Sequence, residues 1–307
     1  MKKVIFLLLL SGFSATAQKK PEIKKSEIVR IETELASDKM EGRQVFTPGI
    51  DSASAFIEKE FAKIGLAHFQ DLKNYRQEFS IKGKNANNVV GVLPGKSKPN
   101  EYVIFSAHYD HLGLTKEGDD KVYNGANDDA SGVTAVIALA NYFKALGNNE
   151  RTIIFVAFTA EEIGIVGSRH FSKNINADEV VAMFNIEMIG TESKWGKDSA
   201  YLTGFERSDF GTILQNNLKK SKFKFHADPY TSMQLFYRSD NAALAAVGVP
   251  AHTISTSKMD DEKNYHQASD EVSTLDLDNM TEIIKAIAIS SESIINGKDT
   301  PTRIPKR

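Results

Sequence analysis

The segments S-A-H-Y-D-H-L-G, residues 106–113, and N-G-A-N-D-D-A-S-G, residues 124–132, decide the fold of this chain. The apolar run 102–107 leads into the first segment and predicts a buried strand, and an apolar-periodic pattern after the second predicts a helix. His108 therefore follows the end of a strand, and Asp128 stands just before a helix. Open α/β sheets hold their ligands at the carboxyl ends of strands, so this arrangement suits a metal site.

Apolar strands alternate with amphipathic helical patterns along the rest of the chain. Strands are predicted at 77–81, 88–93, 102–107, 152–159, 180–186, 200–203 and 250–254. Helices are predicted at 26–36, 51–64, 168–172, 208–219, 241–247 and 277–295, besides the one after residue 132. Near-continuous apolar strands separated by helices indicate a single α/β domain, with a mixed, mostly parallel central sheet covered by helices on both faces.

The amino-terminal residues have the pattern of a secretory signal peptide. A basic start precedes an apolar run, and Ala15-Thr16-Ala17 forms a small-residue cleavage site, so we expect residues 1–17 to be removed and the protein to be exported to the periplasm or the medium. The apolar run is far shorter than the ~20 residues that span a bilayer, so no stable membrane insertion is expected.

The remaining chain is divided by composition. We expect a linker at 18–25, one domain at 26–296 and a flexible basic tail at 297–307. Within the domain, 26–98 forms an N-terminal lead-in and 99–296 the metal-binding core. With 307 residues, 41% of them hydrophobic, the chain can bury a large core. Its oligomeric state is not predictable from these features.

Composition also limits the chemistry. The chain has no cysteine, which excludes disulfides and thiolate metal sites, so any metal must be held by His, Asp and Glu. Such ligands favour zinc, with harder divalent ions as the second choice. The formal net charge of −2 gives no reason to expect nucleic acid as a partner.

Polar clusters follow four of the predicted strands. They are His108 with Asp110, Glu161 with Glu162, Glu187, and Tyr265 with His266. Strand ends of one parallel sheet meet at one edge, so we expect these side chains to lie close together. Two alternatives stay open at this point: the glutamate pair suits a solvated helix start, and Asp128 with the acid that follows it suits a helix cap.

The other histidines are interpreted without a role in the site. His111 is a looser candidate than His108 and is interpreted as a bystander in its loop. Four more are interpreted as surface or core residues: His68, His170, His226 and His252.

An ordered series of motifs resembles the secreted zinc aminopeptidase family with two cocatalytic metals, which includes bacterial leucyl aminopeptidases and aminopeptidase Y. Glutamate carboxypeptidase II and glutaminyl cyclases are related to that family. The motifs are S-A-H-Y-D-H-L-G, G-A-N-D-D-A-S-G-V, F-T-A-E-E-I-G-I-V-G-S, N-I-E-M-I-G, R-S-D-N with G-V-P-A, and Y-H-Q-A-S-D. The upstream A-S-D-K-M-E-G-R and N-N-V-V-G-V-L-P-G resemble the family's lead-in.

The resemblance implies a zinc exopeptidase fold, a peptide substrate, two Zn²⁺ ions and a role for each site residue. Asp128 would bridge the two metals. His108 and Glu187 would complete one metal site, and Glu162 and His266 the other. The implied catalytic residues are Glu161 as general base, Tyr265 as a hydrogen-bond donor to the oxyanion, and Asp110 as the residue that orients His108.

Two positions depart from the family pattern. Glu187 stands where many relatives have Asp, and Asn241 where relatives often have His. Neither departure removes a coordinating group. A carboxypeptidase, a dipeptidase or an acyl-amino-acid hydrolase on the same scaffold stays open, since one metal pair hydrolyses any amide that the pocket admits. A single-zinc glutaminyl cyclase is disfavoured because His108 is present, and a non-catalytic binding protein because every ligand position and the base are present.

Overall fold

The structure is a computed structural model that describes residues 20–307. The predicted signal peptide at 1–17 lies outside the described residues. The helices are α1 Lys25–Leu35, α2 Pro48–Ile64, α3 Ser131–Leu146, α4 Val166–Lys173, α5 Phe210–Asn217, α6 Asn241–Ala245 and α7 Leu277–Ile295. The strands are β1 Ala67–His68, β2 Arg76–Ile81, β3 Lys84–Leu93, β4 Lys98–His108, β5 Gly113–Leu114, β6 Val122–Tyr123, β7 Arg151–Phe158, β8 Val180–Ile186, β9 Ser199–Leu202, β10 Lys224–Ala227 and β11 Ala251–Ser255.

One mixed sheet of 9 strands forms the centre of the fold. Its order is β1-β3-β7-β4-β8-β11-β9-β10, and β2 also pairs with β3. The four adjacent strands β7, β4, β8 and β11 run parallel, while β3 and β9 join them antiparallel. The prediction of a single α/β domain with a parallel central sheet is confirmed. Four short strands, β1, β5, β6 and β10, were not predicted from the sequence. A segment of two to four residues is too short to show a periodic pattern of apolar side chains.

Both faces of the sheet are buried, which explains the continuous apolar runs. Successive side chains of a strand point to opposite faces. In β4, Val103 and Phe105 pack into the core that includes α1, α2, α3 and α7, whereas Ile104 packs into a second core with residues of α4 and α6. All three side chains are fully buried. Among residues 20–307, no helix is long and apolar enough to cross a bilayer.

The carboxyl-terminal segment differs from the expectation of a flexible tail over 297–307. Ile304 is buried in the second core, and its backbone N–H donates to Gly248 O at 3.2 Å. Arg303 Nη1 donates to Val180 O at 2.8 Å. The basic composition of this segment suggested that it would be flexible. The buried side chain of Ile304 and the hydrogen bonds to the backbone oxygens of Gly248 and Val180 instead hold it against the rest of the fold.

Arg43 ties the N-terminal lead-in to the loops at the carboxyl edge of the sheet. Its side chain is fully buried, and its Nε donates to Tyr109 O at 2.9 Å. Nη1 donates to Leu35 O at 2.8 Å and to Asn124 O at 2.6 Å, and Nη2 donates to Gly125 O at 2.9 Å. Charge-assisted hydrogen bonds of this kind are stronger than neutral ones, so one guanidinium joins three separate segments.

The nearest acid to Arg43 among these elements is Glu32 of α1, which is also buried. Burial raises the pKa of Glu32 to about 8, although Thr134 donates to its carboxylate at 2.7 Å. Burial likewise lowers the pKa of Arg43. The cation therefore depends chiefly on the carbonyl oxygens of the loops for its partners.

We predict that Arg43→Met lowers the free energy of unfolding by roughly 3–5 kcal/mol, because it removes the charged partner of several buried polar groups. Arg30→Met is the matched control. Arg30 lies within α1 of the lead-in, and its side chain is 38% exposed, with ion pairs to Glu27 and Glu60. Its loss should cost less, roughly 1–2 kcal/mol, because it leaves a single carboxylate, that of Glu60, without its charged partner. Urea unfolding of both variants measures the difference, and equal losses would contradict the role given to Arg43.

Candidate metal centre

The acidic and histidine residues of the candidate site stand where the parallel strands end. Each is placed by the end of a strand or by the loop that follows it. His108 is the last residue of β4, Asp128 lies in the turn Ala126–Ala130 before α3, Glu161 and Glu162 lie between β7 and α4, Glu187 follows β8, and His266 lies between β11 and α7. Because β4, β7, β8 and β11 are parallel, these positions share one edge of the sheet.

Two groups of ligand-type atoms form there, and they share one carboxylate. His108, Asp128 and Glu187 each bring one such atom within 4.8 Å of the others. His108 Nε2 lies 3.2 Å from Asp128 Oδ1. Asp128 also belongs to a second group, with His111 and Glu162, in which the ligand atoms again lie within 4.8 Å of one another.

The second group contains His111, and the predicted ligand His266 lies beside it without belonging to either group. His266 Nε2 lies 3.2 Å from Asp128 Oδ2 and 3.2 Å from Glu162 Oε2. His111 Nδ1 lies 2.9 Å from Glu162 Oε1. The interpretation of His111 as a bystander is therefore wrong. Its backbone N–H donates to Arg43 O at 3.1 Å, and the ring is buried at the site.

The structure places Asp110 differently from the expectation that its carboxylate orients His108. The His108 Nδ1 atom is 3.1 Å from the backbone oxygen of Asp110 and 3.8 Å from the carboxylate. The carboxylate accepts hydrogen bonds from the backbone N–H groups of Glu161 and Glu162, at 3.1 and 3.2 Å. Asp110 thus fixes the loop that carries the two glutamates.

Asp129 was considered from the sequence only as part of a possible helix cap with Asp128. It is fully buried and belongs to neither of the two groups. One carboxylate oxygen accepts from the backbone N–H groups of Gly132 and Met188, at 3.0 and 3.1 Å, and the other accepts from His108 N at 3.2 Å. Asp129 therefore connects the ends of β4 and β8 with the start of α3.

Asp270 also accepts hydrogen bonds from backbone N–H groups near the ligands. It was not identified as a functional residue from the sequence. Its two carboxylate oxygens accept from the backbone N–H groups of Asn127, at 2.8 Å, and Asp128, at 3.0 Å. The signal was present in the sequence, since Asp270 closes the Y-H-Q-A-S-D motif that contains His266. Its carboxylate fixes the loop of His266 against the loop of Asp128.

The charges of the two groups depend on each other. Burial opposes ionisation of Glu162, but hydrogen bonds from His111 and His266 outweigh it and lower the pKa of Glu162 to about 2. The imidazoles of His108 and His266, each with a nitrogen 3.2 Å from the carboxylate, likewise hold the pKa of Asp128 well below its usual range. The two nearby carboxylates in turn raise the pKa of His266 to about 10. The site therefore attracts positive charge.

Glu161 differs from its neighbour Glu162. Its carboxylate forms no ion pair with any residue in 20–307, and burial raises the pKa of Glu161 to about 10. Tyr265 lies at the same rim, and its ring stacks on that of His266 with the ring centroids 3.9 Å apart. A carboxylate without a partner beside a cluster of ligands is suited to proton transfer.

The residues present fit divalent cations. Among the described residues, four buried atoms of the two groups have no hydrogen-bond partner: His108 Nε2, His111 Nε2, Asp128 Oδ2 and Glu187 Oε2. Buried polar atoms are almost always satisfied, so such a cluster requires an explanation. Imidazole nitrogens and carboxylate oxygens are ligands that zinc accepts, and cations there would balance the buried carboxylates.

Comparison with known proteins bears on this geometry. Residues 88–290, about two thirds of the chain, match the family model described as "Peptidase family M28". Aminopeptidase YwaD of Bacillus subtilis is 31% identical over 120 residues, which cover 38% of this chain and 24% of that protein. A probable leucine aminopeptidase of Arthroderma otae is 28% identical over 258 residues, which cover 77% of this chain and 63% of that protein. The chain thus spans less than two thirds of either relative.

Solved structures with similar folds include LapB of Legionella pneumophila, with a TM-score of 0.70 and 21% identity, covering 89% of this chain and 72% of that one. Glutaminyl cyclase of Porphyromonas gingivalis also has a TM-score of 0.70, with 13% identity and coverage of 89% and 99%. At these identities the likeness concerns the fold alone. Similar folds therefore occur in proteins whose names indicate different reactions.

We predict that Zn²⁺ raises the thermal unfolding midpoint of the chelator-treated protein by several degrees, because a ligand that binds only the folded state stabilises it by mass action. Asp128→Asn should lose most of this shift, since Asp128 belongs to both groups. The control is Asp178→Asn, whose side chain is 78% exposed and remote from the site. Differential scanning fluorimetry with and without Zn²⁺ measures the shifts, and an unchanged midpoint in the parent protein would argue against a metal centre.

Proposed function

The chain belongs to peptidase family M28, and from this premise we propose that it is a zinc-dependent aminopeptidase that removes N-terminal residues from peptides. The observation that carries the proposal is the pair of ligand groups that share Asp128, with the unpaired carboxylate of Glu161 beside them. The names of the relatives YwaD and the leucine aminopeptidase support the choice of activity.

The proposed centre would hold two Zn²⁺ ions. His108 and Glu187 would provide ligands for one ion, Glu162 and His266 would provide ligands for the other, and Asp128 would serve both. Support comes from the distances of 3.2 Å that join Asp128 to both His108 and His266. When bound, such ions polarise a peptide carbonyl, lower the pKa of water from about 15.7 towards about 7 and lower the pKa of nearby acids.

In this mechanism the proton transfers belong to Glu161. Its carboxylate takes a proton from the attacking water and delivers it to the leaving amine. Asp110 supports this role by accepting the backbone N–H of Glu161, which keeps the side chain at the rim. The hydroxyl of Tyr265 donates a hydrogen bond to the oxyanion, and a donor of this kind is typically worth about 10²–10³ in rate.

Recognition of a free N-terminus follows from the charge of the site. The carboxylates at the rim accept hydrogen bonds from an α-ammonium or α-amino group, while a blocked amine offers neither the charge nor the donors.

The signal-like residues 1–17 support a location outside the cytoplasm, in the periplasm or the medium, as part of the same proposal.

We predict that Glu161→Gln lowers kcat by about 10²–10⁴-fold, because the amide cannot accept the proton, while the fold and zinc content stay unchanged. Glu206→Gln is the matched control, since that carboxylate is 75% exposed and outside the site. Hydrolysis of leucine p-nitroanilide gives the rates, and metal analysis gives the zinc content. Near-normal turnover in the zinc-loaded Glu161 variant would remove it from the role of base.

A substrate panel tests the specificity. We predict that leucine p-nitroanilide is cleaved and that N-acetyl-leucine p-nitroanilide is cleaved at least tenfold more slowly, because acetylation removes the charge of the α-amino group. Chelator should abolish the activity, and Zn²⁺ should restore it. Release of acetate from N-acetyl-leucine would favour an acyl-amino-acid hydrolase, and release of C-terminal residues from N-blocked peptides would favour a carboxypeptidase.

A further inference from the structure

A small cavity opens beside the candidate metal centre, and one cationic side chain, that of Arg238, lines it. Its volume is about 50 Å³, and Glu187 and Tyr265 of the site form part of its wall. The lining also includes Met188, Tyr201, Leu235 and Met259, with Arg238 as its only lysine or arginine. A space of this size admits a few water molecules, and so it also admits a small polar group beside Arg238.

Arg238 has no counter-ion in the described chain. It is exposed to solvent at the cavity, and it forms neither an ion pair nor a side-chain hydrogen bond with any residue in 20–307. Its backbone N–H donates to Leu235 O at 3.0 Å, which fixes the start of the side chain at the wall. Arg207 provides a contrast, because its guanidinium lies 4.6 Å from the ring centroid of Phe236.

The nearby carboxylate of the site is already committed elsewhere. Glu187 contributes its ligand atom to the group with His108 and Asp128, and so does not neutralise Arg238. The guanidinium presents parallel N–H donors that match a carboxylate in a two-pronged arrangement. An unpaired guanidinium next to the reacting centre therefore favours a substrate that brings its own carboxylate.

We propose that Arg238 binds a carboxylate of the substrate, so that the enzyme prefers peptides with an acidic group within reach of this cavity. The inference rests on the proposed function and adds the substrate class to it. Two sources supply the same chemistry: the side chain of an N-terminal Asp or Glu, or the free C-terminal carboxylate of a dipeptide.

The first arm of the test addresses the acidic side chain. Zinc-loaded full-length protein is assayed with the p-nitroanilides of Asp, Glu, Gln and Leu. Arg238→Gln should lower kcat/KM for the acidic substrates by roughly 10–100-fold and for the neutral ones by less than about threefold, as expected for one lost charged hydrogen-bonding partner. Arg238→Lys keeps the positive charge but lacks the paired N–H donors of the guanidinium. Its kcat/KM for the acidic substrates should lie between the values for the parent protein and for Arg238→Gln.

The second arm addresses the C-terminal carboxylate. Leu-Leu and its C-terminal amide differ only in that group, so a loss confined to Leu-Leu in Arg238→Gln would identify the dipeptide carboxylate as the ligand. Arg207→Gln serves as the control in both arms, because this guanidinium stacks on Phe236 and does not line the cavity. Its ratio of acidic to neutral kcat/KM should equal that of the parent protein.

Binding without turnover gives an independent readout. Titration calorimetry with L-aspartate and L-asparagine should show tighter binding of L-aspartate to the parent protein, and Arg238→Gln should abolish the difference. The inference would be overturned if Arg238→Gln left the acidic-to-neutral ratio unchanged and also affected Leu-Leu and its amide equally, or if kcat fell equally for every substrate. A parent protein that cleaves none of the substrates would overturn the proposed function instead, while the calorimetric comparison would still decide on Arg238.

Discussion

The structure depends on the accommodation of many carboxylates at one edge of a buried sheet. Each carboxylate that leaves water requires hydrogen bonds, a positive partner or a proton. The residues concerned are Asp110, Asp128, Asp129, Glu161, Glu162, Glu187, Asp240 and Asp270. The carboxylates meet this requirement in different ways. Some accept backbone hydrogen bonds and fix the loops of the site, and others have a role in metal binding or proton transfer in our proposal.

Three of these acids serve the backbone. Asp110, Asp129 and Asp270 accept N–H groups from loops that follow different strands, and so the loops hold each other. Two others, Asp128 and Glu162, are matched to histidines, which keeps their pKa values low. Cations in place of protonated histidines would satisfy the same carboxylates. The structural acids therefore determine where the ligands lie, and the ligands determine which charge the site accepts.

Three acids lack such partners, and two of them, Glu161 and Glu187, have roles in our proposals. Burial raises the pKa of Glu161 and of Glu187, and neither forms an ion pair within residues 20–307. Asp240 has no hydrogen-bond partner for either carboxylate oxygen among residues 20–307, and burial raises its pKa to about 7. Arg43 acts on the opposite side of the loops, where its guanidinium binds carbonyl oxygens. The N-terminal lead-in thus supports the site without contributing a ligand.

The sequence by itself determined the parallel centre of the sheet, because strands such as β7, buried on both faces, must be apolar throughout. It also placed His108, Asp128 and Glu187 at one rim, because parallel strands end at the same edge. Only the tertiary structure decided that Asp128 faces the ligand groups while Asp129 faces the backbone, and that His111 and Arg43 belong to the site and its support. Local patterns record burial and periodicity, whereas the direction of a polar side chain in a loop depends on partners that are distant in sequence.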